Sequence, residues 1–204
     1  MTRTINDWNA AQVKRAESTW GQKIPQYSLD AFTFASKSES YLDLGCGFGR
    51  FLGWLLTFKE EPNYIGYDSS TDMISRVRRK FPSYSHMCFE HNITGPISHK
   101  QEAILCSAVM IHITLDEQSK VLSNVLSADP ERFVFDINSP SESYLLKKDH
   151  FERIIPPGFR MTWQSHYTMT RKIMSMFNDY DVSVSFYPLH SNRHKVVYML
   201  KKRD

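Results

Sequence analysis

Cysteine is scarce in this chain. Its three copies, Cys46, Cys88 and Cys106, stand too far apart for any C-x-x-C pair. That spacing argues against a disulfide framework or a zinc site and fits a reducing compartment. No apolar run approaches the roughly 20 residues that a membrane-spanning helix needs, and the N-terminus lacks an apolar signal core. The sequence therefore reads as soluble and cytoplasmic, without a membrane partner. Excess charge of one sign is also missing: a net +3 is too mild to imply nucleic acid by itself. Internal repeats, low-complexity tracts, a Ser-His-Asp spacing and a metal-ligand cluster are all absent. Glycine is sparse too, with eight copies in 204 residues, so it matters that three of them fall within five positions.

Those three lie in Tyr41-Leu42-Asp43-Leu44-Gly45-Cys46-Gly47-Phe48-Gly49-Arg50. The segment reads as a short buried strand, a glycine turn, and then a helix carrying Phe51, Leu52, Leu55 and Leu56. Glycines let backbone approach a ligand closely, and a helix start offers unpaired N–H groups. The spacing is G-x-G-x-G, whereas a dinucleotide fingerprint runs G-x-G-x-x-G. Arg50 holds the place of the third dinucleotide glycine, so a dehydrogenase fits poorly.

Strands and helices alternate from there, which signals a mostly parallel sheet with helices on both faces. Residues 64–68 read as the second strand. Ser69 or Ser70 caps the next helix, which buries Met73, Ile74 and Val77. Residues 84–90, 103–108 and 133–135 read as strands three to five. Thr114 and Glu117 form a capping box. Residues 165–177 suit a helix, and an alternating strand at 182–187 plus a strand at 195–201 make an antiparallel hairpin. Ahead of the glycine strand, a helix is expected from Asn6 or Asp7 to Trp20 and a second from about Ser28. The stretch from 138 to 164 is irregular, with a helix over Ser141–Lys148 and a break at 156–158.

The glycine segment resembles motif I of the class I S-adenosylmethionine-dependent methyltransferases, D/E-x-G-x-G-x-G, with Asp43 as the leading acid. The terminal hairpin is similar to the one that ends that family's sheet. The resemblance runs from about Leu42 to Lys201. It implies an α/β fold, a doubly wound, mostly parallel seven-stranded sheet ending in an antiparallel hairpin. The cofactor it implies is S-adenosylmethionine, with S-adenosylhomocysteine as product. The chain then divides into an N-terminal helical lid at 1–36 and a methyltransferase domain at 37–204. A substrate-side insertion lies at about 138–167.

Cofactor roles follow from the same resemblance. Asp43, Gly45, Cys46, Gly47, Gly49 and Arg50 form the cradle, and Cys46 is a small loop filler there. Asp68, about 20 residues after the turn, matches the acid that binds the ribose hydroxyls, next to Ser69; the other reading is a helix cap. Met73 suits an adenine face or the core. Asn92 and Ile93 match the adenine-reading position, although Asn92 also suits a turn before Gly95. Backbone near Ser107 corresponds to the hold on the methionine ammonium. His112 falls where many small-molecule methyltransferases carry a histidine, either as a base or as a loop anchor. Tyr27 is the second candidate base.

The acceptor side is expected from Trp8, Trp20 and Tyr27 at the N-terminus and from Asn138, Tyr144, Trp163, His166 and Tyr167 in the irregular stretch, with Asp136 facing the same site. The Asn-Pro-Pro-type amino-methylation signature and the Pro-Cys pair of cytosine enzymes are absent. These absences favour a small-molecule or exposed-side-chain acceptor, with a small-molecule partner accepting on O or N as the leading expectation. Arg76 to Lys80 is the counter-argument for an RNA partner, although a solvated helix face explains it too. A non-catalytic member that binds only cofactor or a partner protein is the remaining alternative.

Overall fold

The computed structural model describes Lys14, Ser18 and residues 23–140, 149–155, 159–189 and 193–204. The chain enters through α1 (Gln26–Ala35), which buries Ser28, Ala31, Phe32 and Ala35. Then come β1 (Ser40–Leu44), the glycine turn and α2 (Arg50–Leu55), followed by β2 (Asn63–Asp68) and α3 (Thr71–Lys80). Next are β3 (Cys88–Glu90), β4 (Ala103–Cys106), α4 (Leu115–Ala128) and β5 (Arg132–Pro140). The chain finishes with β6 (His150–Ile155), β7 (Phe159–Gln164), α5 (His166–Met176), β8 (Tyr180–Leu189) and β9 (Arg193–Lys202).

Capping decides where the helices begin. The Ser70 hydroxyl accepts from the Met73 N–H, so Ser70 and not Ser69 starts α3. Met73, Ile74 and Val77 then turn inward and Arg78 to Lys80 close the last turn. Thr114 and Glu117 cap α4 reciprocally, as the sequence leads one to expect. Strand three is shorter than expected because Pro82 opens a tight 3-10 turn through Met87.

Parallel pairing runs β3-β2-β1-β4-β5, and β9 then adds antiparallel to β5, with β8 outside it. These are the seven strands and closing hairpin that the sequence implied. Two further strands, β6 and β7, form an antiparallel hairpin that joins β5 through Asn138 opposite Trp163. Strand β5 is longer than Phe133–Phe135 because β9 pairs with it along its whole length, from Arg132–Lys201 to Pro140–Arg193. Phe135 and Tyr198 are cross-strand partners and stack at 4.9 Å. One core lies under α4 and α5 (Val121, Leu122, Met169 and Ile173) and the other under α1 and α2 (Phe32, Phe51 and Leu52). The helix read over Asp7 to Trp20 lies outside the described residues, apart from Lys14 and Ser18, which are helical. Trp8, Trp20, Tyr144, the helix at 141–148 and the break at 156–158 also lie outside them.

Candidate functional site

The glycine turn hangs on the end of the neighbouring strand. The N–H groups of Gly45 and Cys46 donate to the Tyr67 carbonyl at 2.7 and 2.8 Å. Gly45 has φ +85°, and a Cβ there would meet Val109 Cγ2 at 2.2 Å. Only glycine lets the turn and the β4 exit lie this close. Gly47 differs. Its φ is +55°, and the nearest atom to an added Cβ would be Met73 Sδ at 3.9 Å. That space belongs to a cavity walled by Gly45, Cys46, Gly47 and Arg50 on one side and by Asp68, Ser69, Met73 and Ile93 on another. Asp43 forms part of its floor, and Ser107, Ala108, His112 and Ile113 close the β4 side.

Asp68 links two parts of this wall. One carboxylate oxygen accepts from the Gly47 N–H and the other from the Ser70 N–H, each at 2.9 Å. Burial still pushes its pKa up to about 6. Asp43 accepts from the Tyr64 hydroxyl at 3.0 Å. Burial raises it to about 7, with Tyr64 and Arg50 pulling the other way. Burial also pushes the Cys46 thiol well above its ordinary range, so it stays protonated and suits a filler better than a nucleophile. Ser69 accepts from the Ile93 N–H at 3.4 Å and donates to the His91 carbonyl at 3.3 Å, which ties the β3 exit to the same rim.

The sequence-predicted residues do not all converge. Gly49 caps α2 in the left-handed conformation and packs on Val77 and Phe81 instead of lining the cavity. Asn92 is exposed, and its side-chain carbonyl accepts from the Thr94 N–H and hydroxyl. It is spent on the turn that was its other reading. Tyr27 stands beside the cavity wall, with Lys195 Nζ 5.1 Å from its ring centroid. Burial, then the Asp136 carboxylate, pushes its phenol up to about 12, so it is uncharged at neutral pH.

His112 is held from behind. Its Nδ1 lies 2.7 Å from the Arg160 carbonyl. A carbonyl only accepts, so Nδ1 carries the proton and Nε2 keeps the lone pair. Burial lowers the imidazole to about 4, which keeps it neutral. The neighbouring Ile113 carbonyl accepts from the Thr162 hydroxyl at 2.9 Å, so β7 fixes this whole exit.

One ion pair escaped the sequence reading. Lys195 Nζ lies 2.6 Å from Asp136 Oδ2, with both side chains buried. The other Asp136 oxygen accepts from the Ala108 N–H at 2.7 Å. Ala108 has φ +59°, an unfavourable conformation for alanine that this bond helps to hold. The signal was a lysine within the apolar run of the last strand, which needs a carboxylate facing it.

Two observations test the cavity against a cofactor. Ser107 Oγ is buried in the wall without a hydrogen-bond partner among the described residues, and the space beside Gly47 is what a close-lying ligand would use. Both fit a small molecule with polar edges. Among the described residues there is no cluster able to hold a metal and no helix long and apolar enough to cross a membrane.

Charge linkage gives a testable consequence. With folded-state values raised from 3.8, Asp43 and Asp68 contribute stability below that value and lose it as pH rises through about 6 to 7 in the free protein. S-adenosylmethionine brings a sulfonium charge that favours the ionised carboxylates. Its affinity is therefore expected to rise between about pH 5 and pH 8, with proton release, and S-adenosylhomocysteine should show a smaller slope. Titration calorimetry across that range measures both slopes; equal, flat profiles would contradict this electrostatic account.

Comparisons with known proteins agree with this geometry. The model of a family described as methyltransferase domain matches residues 42–128. No curated protein matches the chain. Among solved structures, a magnesium protoporphyrin IX methyltransferase from Synechocystis PCC 6803 with bound S-adenosylmethionine aligns at TM-score 0.69 and 14% identity, covering 98% of this chain and 95% of that one. A 1,6-didemethyltoxoflavin-N1-methyltransferase from Burkholderia thailandensis aligns at 0.68 and 11%, covering 100% and 92%. The small RNA methyltransferase HEN1 aligns at 0.63 and 16%, covering 88% of this chain and 25% of that chain. The glycine turn and the sheet order give this chain the fold of the class I S-adenosylmethionine-dependent methyltransferases, and its residues 42–128 match a methyltransferase domain.

Proposed function

We propose that the chain transfers a methyl group to an oxygen or nitrogen of a small molecule. The observation that carries this reading is the covered β4 exit. Ala108, His112 and Ile113 are each bonded to β5 or β7, and Phe32 of α1 walls the same cavity. An acceptor space closed by the chain's own elements suits a compact substrate better than a polymer. In this reading α1 and the β6–β7 hairpin are the substrate-side parts, and residues 1–36 act as a lid over the domain at 37–204.

S-adenosylmethionine, when bound, supplies an already activated methyl group. The residues proposed to hold it are Asp43, the turn from Gly45 to Arg50, Asp68, Ser69, Met73, Ile93 and Ser107. The chain's remaining task is to position an acceptor, exclude water and take up a proton. His112 is the first candidate for that proton, through Nε2, because a neutral imidazole offers a lone pair at physiological pH. Tyr27, the other candidate, is a protonated phenol at neutral pH, raised to about 12, so it can position an acceptor by donating a hydrogen bond but offers no base.

Part of the basic run that favours the RNA alternative is engaged within the protein. Arg78 gives two hydrogen bonds to the Cys88 carbonyl, and Lys80 lies over the rings of Phe48 and Phe81. Two members of the basic run are thus engaged with β3, the glycine turn and the helix end. Magnesium protoporphyrin IX and 1,6-didemethyltoxoflavin in the neighbours' names are small molecules, although HEN1 is an RNA enzyme.

The test is methyl-labelled S-adenosylmethionine with the protein and a cell extract split into small-molecule, RNA and protein fractions. Label in the small-molecule fraction is expected; label in nuclease-sensitive material would overturn the reading. Two variants then assign roles. Asp68→Ala is expected to weaken S-adenosylhomocysteine binding by about 1–3 kcal/mol, and an unchanged dissociation constant would remove Asp68 from the site. His112→Ala should keep that binding within about twofold while slowing transfer about 10²–10⁴-fold. Normal turnover would leave His112 as an anchor for β7.

A further inference from the structure

The sheet continues past the cavity, and its register assembles a row of side chains there. Trp163 on β7 stands opposite Asn138 on β5; Asn138 stands opposite Lys195 on β9; Lys195 stands opposite Tyr187 on β8. Directly paired residues share a face, so all four point to the side covered by α1. Two contacts from α1 agree: the Tyr187 hydroxyl donates to Asp30, and Tyr27 lies over Lys195. Arg193, two residues before Lys195, shares this face, and its guanidinium lies 5.2 Å from the Trp163 ring centroid.

Three properties of this row call for a ligand. Trp163 is 5% exposed, and its Nε1–H is buried without a hydrogen-bond partner among the described residues. Such an orphaned donor has a cost that a ligand oxygen would remove. Asn138 is also buried, at 3% exposed, and its amide can both donate and accept. The charges are unequal: Lys195 is answered by Asp136, whereas Arg193 has no carboxylate within 4 Å among the described residues. A guanidinium steadied on an aromatic ring keeps its N–H fork for a planar oxyanion.

Resting on the small-molecule reading above, we infer that this row binds the methyl acceptor. The acceptor is a compact, ring-containing oxyanion, a carboxylate or phosphate, whose charged end meets Arg193 and whose polar atoms meet Trp163 and Asn138. Arg193 lies roughly 7 Å along β9 from Lys195. Lys195 is bonded to Asp136, which holds the Ala108 wall beside His112. In this scheme the ring carries the reacting oxygen or nitrogen from the oxyanion end toward His112. Arg193 is a specificity residue in this scheme and takes no part in the proton transfer.

The test uses hydroxybenzoates and aminobenzoates, their uncharged primary amides, and phenyl phosphate. Binding is read by titration calorimetry with S-adenosylhomocysteine present. At least one oxyanion is expected to bind ten times or more tightly than its amide, and the carboxylate and phosphate arms tell which anion is preferred. Arg193→Met should erase that preference, Arg193→Lys should restore part of it, and S-adenosylhomocysteine affinity should not change in either. Equal binding of anion and amide, a preference that survives Arg193→Met, or an Arg193-dependent response to an RNA oligomer alone would overturn the inference. So would the absence of binding by every anion in the set. Wild-type protein that fails to bind S-adenosylhomocysteine would instead overturn the cofactor assignment, so the two failures are distinct.

Discussion

Gly47→Val is expected to abolish cofactor binding while leaving the protein folded. The new side chain would stand in the gap between the glycine turn and Met73, where an added Cβ has its nearest neighbour at 3.9 Å. No described residue fills that space, so their packing is not disturbed. A β-branched residue at φ +55° adds backbone strain of about 1–3 kcal/mol. The expected loss of affinity for S-adenosylhomocysteine is at least about 100-fold, or about 2.7 kcal/mol. Titration calorimetry reads the affinity, and circular dichroism shows whether the fold survives. Gly47→Ala should fall between the two. Wild-type affinity in the valine variant would mean that the space beside Gly47 is not the cofactor's.

Lys195→Met is expected to be the most destabilising of the polar substitutions. It removes the cation 2.6 Å from Asp136 and leaves a buried carboxylate facing an apolar chain. Breaking one partner of such a pair typically costs about 3–5 kcal/mol. For a chain of this size that is a fall in melting temperature of about 6–20 °C. The double variant Asp136→Asn with Lys195→Met should recover most of the loss, because the charge to be compensated is gone. The Asn side-chain oxygen can still accept from the Ala108 N–H. A single variant that melts within a degree of wild type would show that the pair carries no structural load.

The sequence made the cofactor half of the molecule legible because local chemistry dictates it. Positive φ at 45, 47 and 49 demands glycine, a helix start at Ser70 demands an oxygen cap, and alternating strands demand apolar runs. Each leaves a residue-level mark. Asn92 was ambiguous for the same reason: the residue type that reads an adenine edge also makes a turn, and Thr94 settles which bond it forms here. The half proposed to hold the acceptor was less legible because long-range pairing builds it. Nothing local to Trp163 says that it will lie beside Asn138, and nothing local to Arg193 says that it will lie on Trp163. Strand β5 outruns its apolar core only because β9 follows it to Pro140. The lysine at the head of the apolar last strand calls for a carboxylate, but only the pairing of β5 with β9 tells that it is Asp136.

The central claim is that the cavity under the glycine turn is a site for S-adenosylmethionine. The most direct measurement is a calorimetric titration of the wild-type protein with S-adenosylhomocysteine, which binds without reacting. The account predicts saturable one-to-one binding with a dissociation constant on the order of micromolar. Absence of saturable heat at millimolar ligand, with the protein folded by circular dichroism, would contradict it.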